Sequence, residues 1–157
     1  MNRPKTYTVD QALDKLKSYC AYQERCHLEV RTKLQSMGMI PEATDLIITT
    51  LIRHDFLNES RFAKSFTRGK FNIKKWGRNR IIRELKARGI SKYNIESALN
   101  EISDEDYFTT LQELAEKRLH QLKEKNKYKK RKKLADYLLY RGWEYNLVYS
   151  KTTELIP

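Results

Sequence analysis

IIRELKARGI, residues 81–90, is the stretch that decides how the rest of the chain is read. Ile81, Ile82 and Leu85 fall on one helical face. Gly89 stops that pattern four residues after Leu85, where glycine takes the left-handed conformation just past a helix end at little cost. An apolar residue, Ile90, follows, and Ser91 suits the N-cap of a further helix. The same arrangement occurs twice more. VRTKLQSMGMI, residues 30–40, runs Leu34, Gly38, Met39, and Pro41 then suits a first helical position. KLADYLLYRGW, residues 133–143, runs Leu138, Gly142, Trp143. The three glycines lie 51 and 53 residues apart, and self-similarity at such a period marks a repeat architecture.

Hydrophobic periodicity fills in the units. Val9 to Tyr22 carries Val9, Ala12, Leu13, Leu16, Tyr19 and Cys20 on one stripe, and Thr8 with Gln11 forms a capping box. His27 to Met37 carries Val30, Leu34 and Met37. Pro41 to His54 carries Ile47, Ile48, Leu51 and Ile52. Asn58 caps a helix running to about Ile73. Arg78 to Arg88 and Lys92 to Ile102 follow, the latter with Ile95, Ala98, Leu99 and Ile102. A long helix is expected from Asp104 to about Lys125, with Phe108, Leu111, Ala115, Leu119 and Leu122 in register. Lys127 to Arg141 and Glu144 to Leu155 finish the chain. The expectation is an all-α protein of nine helices in three tandem three-helix units, residues 1–55, 56–103 and 104–157. Units of this size bury little alone, so stacking should supply the core and give an elongated, curved molecule.

Composition agrees. Of 157 residues, 33% are charged and 39% hydrophobic, with five Gly and three Pro, too few for the turns of an all-β chain. No apolar run reaches the roughly 18 residues of a membrane span, and the N-terminus lacks the apolar core of a secretory signal. Two cysteines, Cys20 and Cys26, make no disulfide framework, so a cytoplasmic protein is expected. Cys20 reads as core packing, and the spacing of Cys26 and His27 fits no zinc pattern.

The charge is +12, from 32 basic and 20 acidic residues, which points to nucleic acid, an anionic membrane or an acidic protein surface. It is concentrated. Residues 68–92 hold ten basic residues and one acid, as do residues 117–133; the rest of the chain is net −6. Within residues 61–77, RFAKSFTRGKFNIKKWG, helical spacing puts Phe62, Phe66 and Ile73 on one face and Arg61, Lys64, Arg68 and Lys75 on another. The aromatics at 62 and 66 are therefore expected in the core. A membrane-surface helix would show the same division, but this apolar face is needed to join the next two helices. Trp76, beyond Gly69 and beside Gly77, either stacks on a base or anchors a protein contact, or else fills a joint between helices. The basic strip Arg61, Lys64, Arg68, Lys70, Lys74, Lys75, Trp76, Arg78 and Arg83 is the expected partner surface. Arg61 has a competing role, pairing with an acid of its own unit. Lys129, Lys130, Arg131, Lys132 and Lys133 form a secondary candidate for phosphate, which would give affinity without sequence choice.

No phosphate-binding loop, dinucleotide fingerprint, zinc-protease motif or serine-nucleophile motif is present. His27 and His54 fall in the first unit and His120 in the third, with no second cysteine or histidine at zinc-ligand spacing. No catalytic residue, metal or cofactor is expected.

FLNESRFAKSFTRGK (56–70), GRNRIIRELKARGIS (77–91) and IESAL (95–99) resemble the central signature of the RecX family, regulators of the bacterial RecA recombinase. Phe56, Leu57, Asn58, Arg61, Phe62, Ala63, Gly89 and Ile90 stand where that pattern has like residues. KLADYLLYRGWEYNLVY (133–149) resembles the family's C-terminal unit, and YCAYQERCHLEV (19–30) approximates its opening segment. The Lys-rich run at 123–133 is denser than the family pattern. The resemblance implies three tandem three-helix units in a curved, modular molecule that binds the RecA filament on single-stranded DNA, lying along its helical groove; a monomer is expected. It also implies lowered recombinase, ATPase and coprotease activity; weak direct DNA binding is a further expectation from the basic charge. The alternative is a nonspecific nucleic-acid-binding helical module.

Overall fold

The structure, a computed structural model, describes residues 5–157; residues 1–4 of the expected first unit lie outside it. Nine α-helices and no strand occur among the described residues. They are α1 (Val9–Tyr22), α2 (His27–Ser36), α3 (Pro41–Arg53), α4 (Glu59–Asn72), α5 (Arg78–Ala87), α6 (Lys92–Leu99), α7 (Asp104–Gln121), α8 (Lys127–Tyr140) and α9 (Tyr145–Leu155). The principal helix–helix contacts fall inside three triplets: α1 and α2 against α3, α4 and α5 against α6, and α7, α8 and α9 against one another.

Local chemistry sets the ends. Thr8 and Gln11 form the expected capping box at α1, Pro41 opens α3, and Asn58 and Ser91 cap α4 and α6 through their side chains. The middle helix of each triplet ends identically. Gly38, Gly89 and Gly142 have φ of 78°, 74° and 91°. The N–H of the residue after each glycine reaches back to Leu34, Leu85 or Leu138, and the glycine N–H to Gln35, Lys86 or Leu139. This pair of reversed bonds satisfies carbonyls that a helix end leaves open. One backbone solution is thus used three times.

The core divides unequally. Ala12, Leu16, Cys20, Val30, Leu34, Ile47, Ile48 and Leu51 of the first triplet form one cluster with Leu57 from the α3–α4 connection. The second and third triplets share a single larger cluster that runs from Phe62 through Leu85 and Tyr107 to Trp143 and Ile156, and takes in Cys26 from the α1–α2 turn. The accessible surface is 10238 Å². A compact monomer of 18.8 kDa has about 8300 Å², and a stack of small units produces such an excess.

Three expectations are corrected. Helix α7 stops at Gln121, not Lys125: Leu122 turns to an extended conformation (ψ 129°) and packs against the core, so 123–126 is a connection. The buried aromatic of α7 is Tyr107, not Phe108, because Tyr107 lies in line with Leu111 and Ala115. Ile73 is 76% exposed and Ile52 is half exposed. Ile73 is the C-cap of α4, past its last helical residue Asn72, so the stripe read from sequence runs too far.

Candidate partner-binding surface

The basic strip separates into two groups once its partners are seen. Arg61, Arg68 and Arg78 are tied down. Arg61 leaves α4 and bonds Glu24 through Nε at 2.6 Å and Asp55 through Nη1 at 3.0 Å. Both acids lie before residue 56, so Arg61 joins the first triplet to the second, not its own unit to itself. The paired carboxylate of Glu24 raises the pKa of Arg61 further, although burial opposes it. Arg68 meets Glu101 at 3.0 Å. Arg78 reaches Asp104 at 3.0 Å and Glu144 at 3.5 Å, and its guanidinium lies 3.7 Å over the Tyr107 ring.

That last cluster is the joint between the second and third triplets. Tyr107 is buried, accepts a bond from the Arg78 backbone N–H at 2.9 Å and donates one to Glu144. Its ring stacks on Phe71 at 6.0 Å and packs on Trp143 at 4.5 Å. Burial drives the Tyr107 pKa well above the ordinary phenol value. The Trp143 indole N–H donates to the Lys75 carbonyl at 3.0 Å, Gly77 N–H to Arg141 carbonyl at 2.8 Å, and Asn79 N–H to Gly142 carbonyl at 3.0 Å. A Cβ on Gly77 would run into the Gly142 carbonyl, and a Cβ on Gly142 into Arg80. Here the two glycines serve close backbone approach. Lys75 itself has φ of 59°, a strained value that this lattice of bonds holds in place.

The second group carries free charge. Among the described residues, Lys64, Lys70, Lys74, Lys75 and Arg83 have no carboxylate within ion-pair distance. Lys74, Lys75 and Arg83 are exposed; Lys64 and Lys70 are half-buried. Lys70 and Lys74 line a cleft of about 600 Å³ between the first two triplets, with Phe66, Ile73 and Arg88 on their side and Glu24 and Glu29 opposite. Those two acids are already engaged by Arg61 and Arg25, so the unspent charge of the cleft is positive. In the lysine-rich segment, Lys133 meets Glu124 and Lys132 meets Asp136. Arg131 donates to the Ile156 carbonyl. Lys129 and Lys130 have no such partner among the described residues.

Trp76 is half-buried, one side packed against the shared core, 6.2 Å edge-on from Phe66, with Lys70 at 4.9 Å and Arg80 at 4.1 Å from its ring centre. Sequence reading missed Arg80 and Tyr140. Their rings and charges meet only because α5 and α8, 60 residues apart in sequence, abut end to end, and no periodicity reports that. Cys20 is buried, and burial pushes its thiol up to about 11. Among the described residues no group of three or more His, Cys, Asp and Glu side chains could hold a metal. Among the described residues no helix is long and apolar enough to cross a membrane.

Comparison with known proteins places this arrangement. Residues 58–99 match the family described as RecX, second three-helix domain, and residues 104–151 match RecX, third three-helix domain. The chain is 30% identical over 141 residues to the regulatory protein RecX of Finegoldia magna, covering 87% of this chain and 68% of that one. The chain belongs to the RecX family. It is 25% identical to the regulatory protein RecX of Clostridioides difficile over 146 residues, covering 93% of this chain and 68% of that protein. The match to the Lactobacillus johnsonii regulatory protein RecX, 34% identical over 96 residues, spans 61% of this chain and only 35% of the relative. The crystal structure of RecX from Lactobacillus salivarius superimposes with a TM-score of 0.79 at 27% identity, over 94% of this chain and 96% of that one. The all-helical fold of this RecX-family chain is therefore shared with a solved relative. The residues that stitch its second and third triplets fall within or beside the two matched domains.

Proposed function

We propose that this RecX-family protein is a non-enzymatic regulator that binds the filament a RecA-type recombinase forms on single-stranded DNA and lowers its ATPase, recombinase and coprotease activity. The reading takes units 1–55, 56–103 and 104–157 as successive contact modules of one cytoplasmic monomer. The observation that carries it is the set of unpaired cations in the central triplet: Lys64, Lys70, Lys74, Lys75 and Arg83. These charges remain after the internal ion pairs are made, on the part of the chain that matches the family's second domain. A groove lined by carboxylates or phosphates would complement them. Modest contacts from several units add when their spacing fits the target.

Arg61, Arg68 and Arg78 keep a place in the contact surface only through whatever charge their internal partners leave. The test therefore uses the free lysines. ATP hydrolysis by the recombinase of the same source is followed on single-stranded DNA already saturated with recombinase, with this protein titrated in. Inhibition is expected well below one copy per recombinase. Lys64→Glu, Lys74→Glu and Lys75→Glu together should raise the half-inhibiting concentration about tenfold with the helical fold retained. Inhibition that appears only at DNA-coating amounts, and that excess DNA relieves, would mean competition for phosphate and would overturn the reading.

A further inference from the structure

Five side chains from α4, the α4–α5 connection, α5 and α8 alternate charge and ring, from the cleft beside the first triplet to the junction of the second and third. Lys70 Nζ lies 5.4 Å from the Phe66 ring centre and 4.9 Å from that of Trp76. The Arg80 guanidinium lies 4.1 Å from Trp76 and 4.9 Å from Tyr140. The order is therefore Phe66, Lys70, Trp76, Arg80, Tyr140, with Arg88 at the far end, 4.8 Å from Phe66.

We propose that this ribbon is a stacking track for single-stranded nucleic acid, with Tyr140 as its open platform. The joint does not need the outer part of the ribbon. Backbone bonds from Gly77 and Asn79 and the Trp143 indole already secure it. Tyr140 is 71% exposed and outside the shared core, although it stands one turn from buried Leu138 and Trp143. The two central cations lack acids. Neither Lys70 nor Arg80 has a carboxylate within ion-pair distance among the described residues, and the hydrogen bond Arg80 makes is to the Tyr140 carbonyl. Lys74 and Lys75 add free charge at the same end of α4. Ring faces spaced by uncompensated cations suit unpaired bases joined by phosphates: the rings stack on any base and the cations neutralise the backbone. A duplex keeps its base faces covered and would use the charges alone. An acidic peptide would likewise leave the rings idle.

The track does not depend on the recombinase reading, because it is tested without recombinase. Fluorescence anisotropy of labelled oligo-dT is titrated with the full chain at fixed salt, beside a duplex of equal length. Tyr140→Ala should weaken oligo-dT binding about tenfold and leave duplex binding nearly unchanged. Tyr140→Phe, which keeps the ring, should bind like the parent. Oligo-dT should also quench the emission of Trp76, read in a Trp143→Phe background that keeps its fold by circular dichroism, or as the exposed fraction of the parent's signal. Unchanged affinity for oligo-dT in Tyr140→Ala, or an equal loss on duplex, would overturn the track. An unchanged tryptophan signal at saturating oligo-dT would also overturn it.

Discussion

Single residues carry very different burdens although the sequence presents them alike. Gly38, Gly89 and Gly142 end three helices with the same backbone, yet only Gly142 is also pressed against another chain segment. A Cβ at 38 meets nothing within 4 Å, whereas at 142 it meets the backbone of Arg80. Gly38→Ala should therefore cost about 1 kcal/mol, the left-handed strain alone. Gly142→Ala adds overpacking, for a total of about 3 kcal/mol or more. Urea unfolding midpoints of the two variants measure the difference. Equal midpoints would mean that the α5–α8 approach relaxes freely. The arginines show the same divergence. Arg61 and Arg78 read as members of one basic strip, but each is committed to at least one acid more than 20 residues away in sequence.

At the scale of elements, one carboxylate links two helices. Glu59 opens α4 and also accepts from the Ser91 N–H and the Asn94 amide at the start of α6. It thus serves two helix N-termini, where negative charge is favoured. Partial burial raises its pKa, but the hydrogen bonds from Asn94 and Ser91 outweigh this and leave it below the usual carboxylate value of 4.5. A carboxylate whose folded pKa is depressed stabilises the fold above its unfolded pKa, and that stability drains away as pH falls through the folded value. Glu59→Gln should accordingly be less stable than the parent at pH 7. It should also lose less stability on acidification below about pH 4.5, the unfolded carboxylate value. Thermal melts at a series of pH values test this; parallel curves for the two proteins would show that Glu59 contributes nothing through its charge.

For the whole molecule, the unequal division of the core sets the order of opening. The first triplet has its own small cluster and meets the second through Cys26 and the Arg61 ion pairs. The second and third share one cluster and a set of backbone bonds. Local opening follows the density of buried contacts. Amides of α1 to α3 should therefore exchange through openings of lower free energy than those of α4, α5 and α8, as native-state hydrogen exchange would read. Uniform protection across the chain would refute this division.

What the sequence determined alone was the set of helices and most of their ends. The repeated Leu-x-x-x-Gly, the Thr8 capping box, Pro41, Asn58 and Ser91 act within a few residues of themselves, so their effects are local and legible. The position of the free charge was half legible: the basic strip could be seen, but not which of its members remain unpaired. Only the tertiary structure decided that Arg61, Arg68 and Arg78 are bound internally, that Tyr107 and not Phe108 enters the core, and that α7 ends early because Leu122 turns back onto it. The physical reason is range. Caps and helical faces are set by neighbours three or four residues away, whereas ion pairs, ring stacks and the Gly77–Gly142 approach join residues brought together only when the triplets pack.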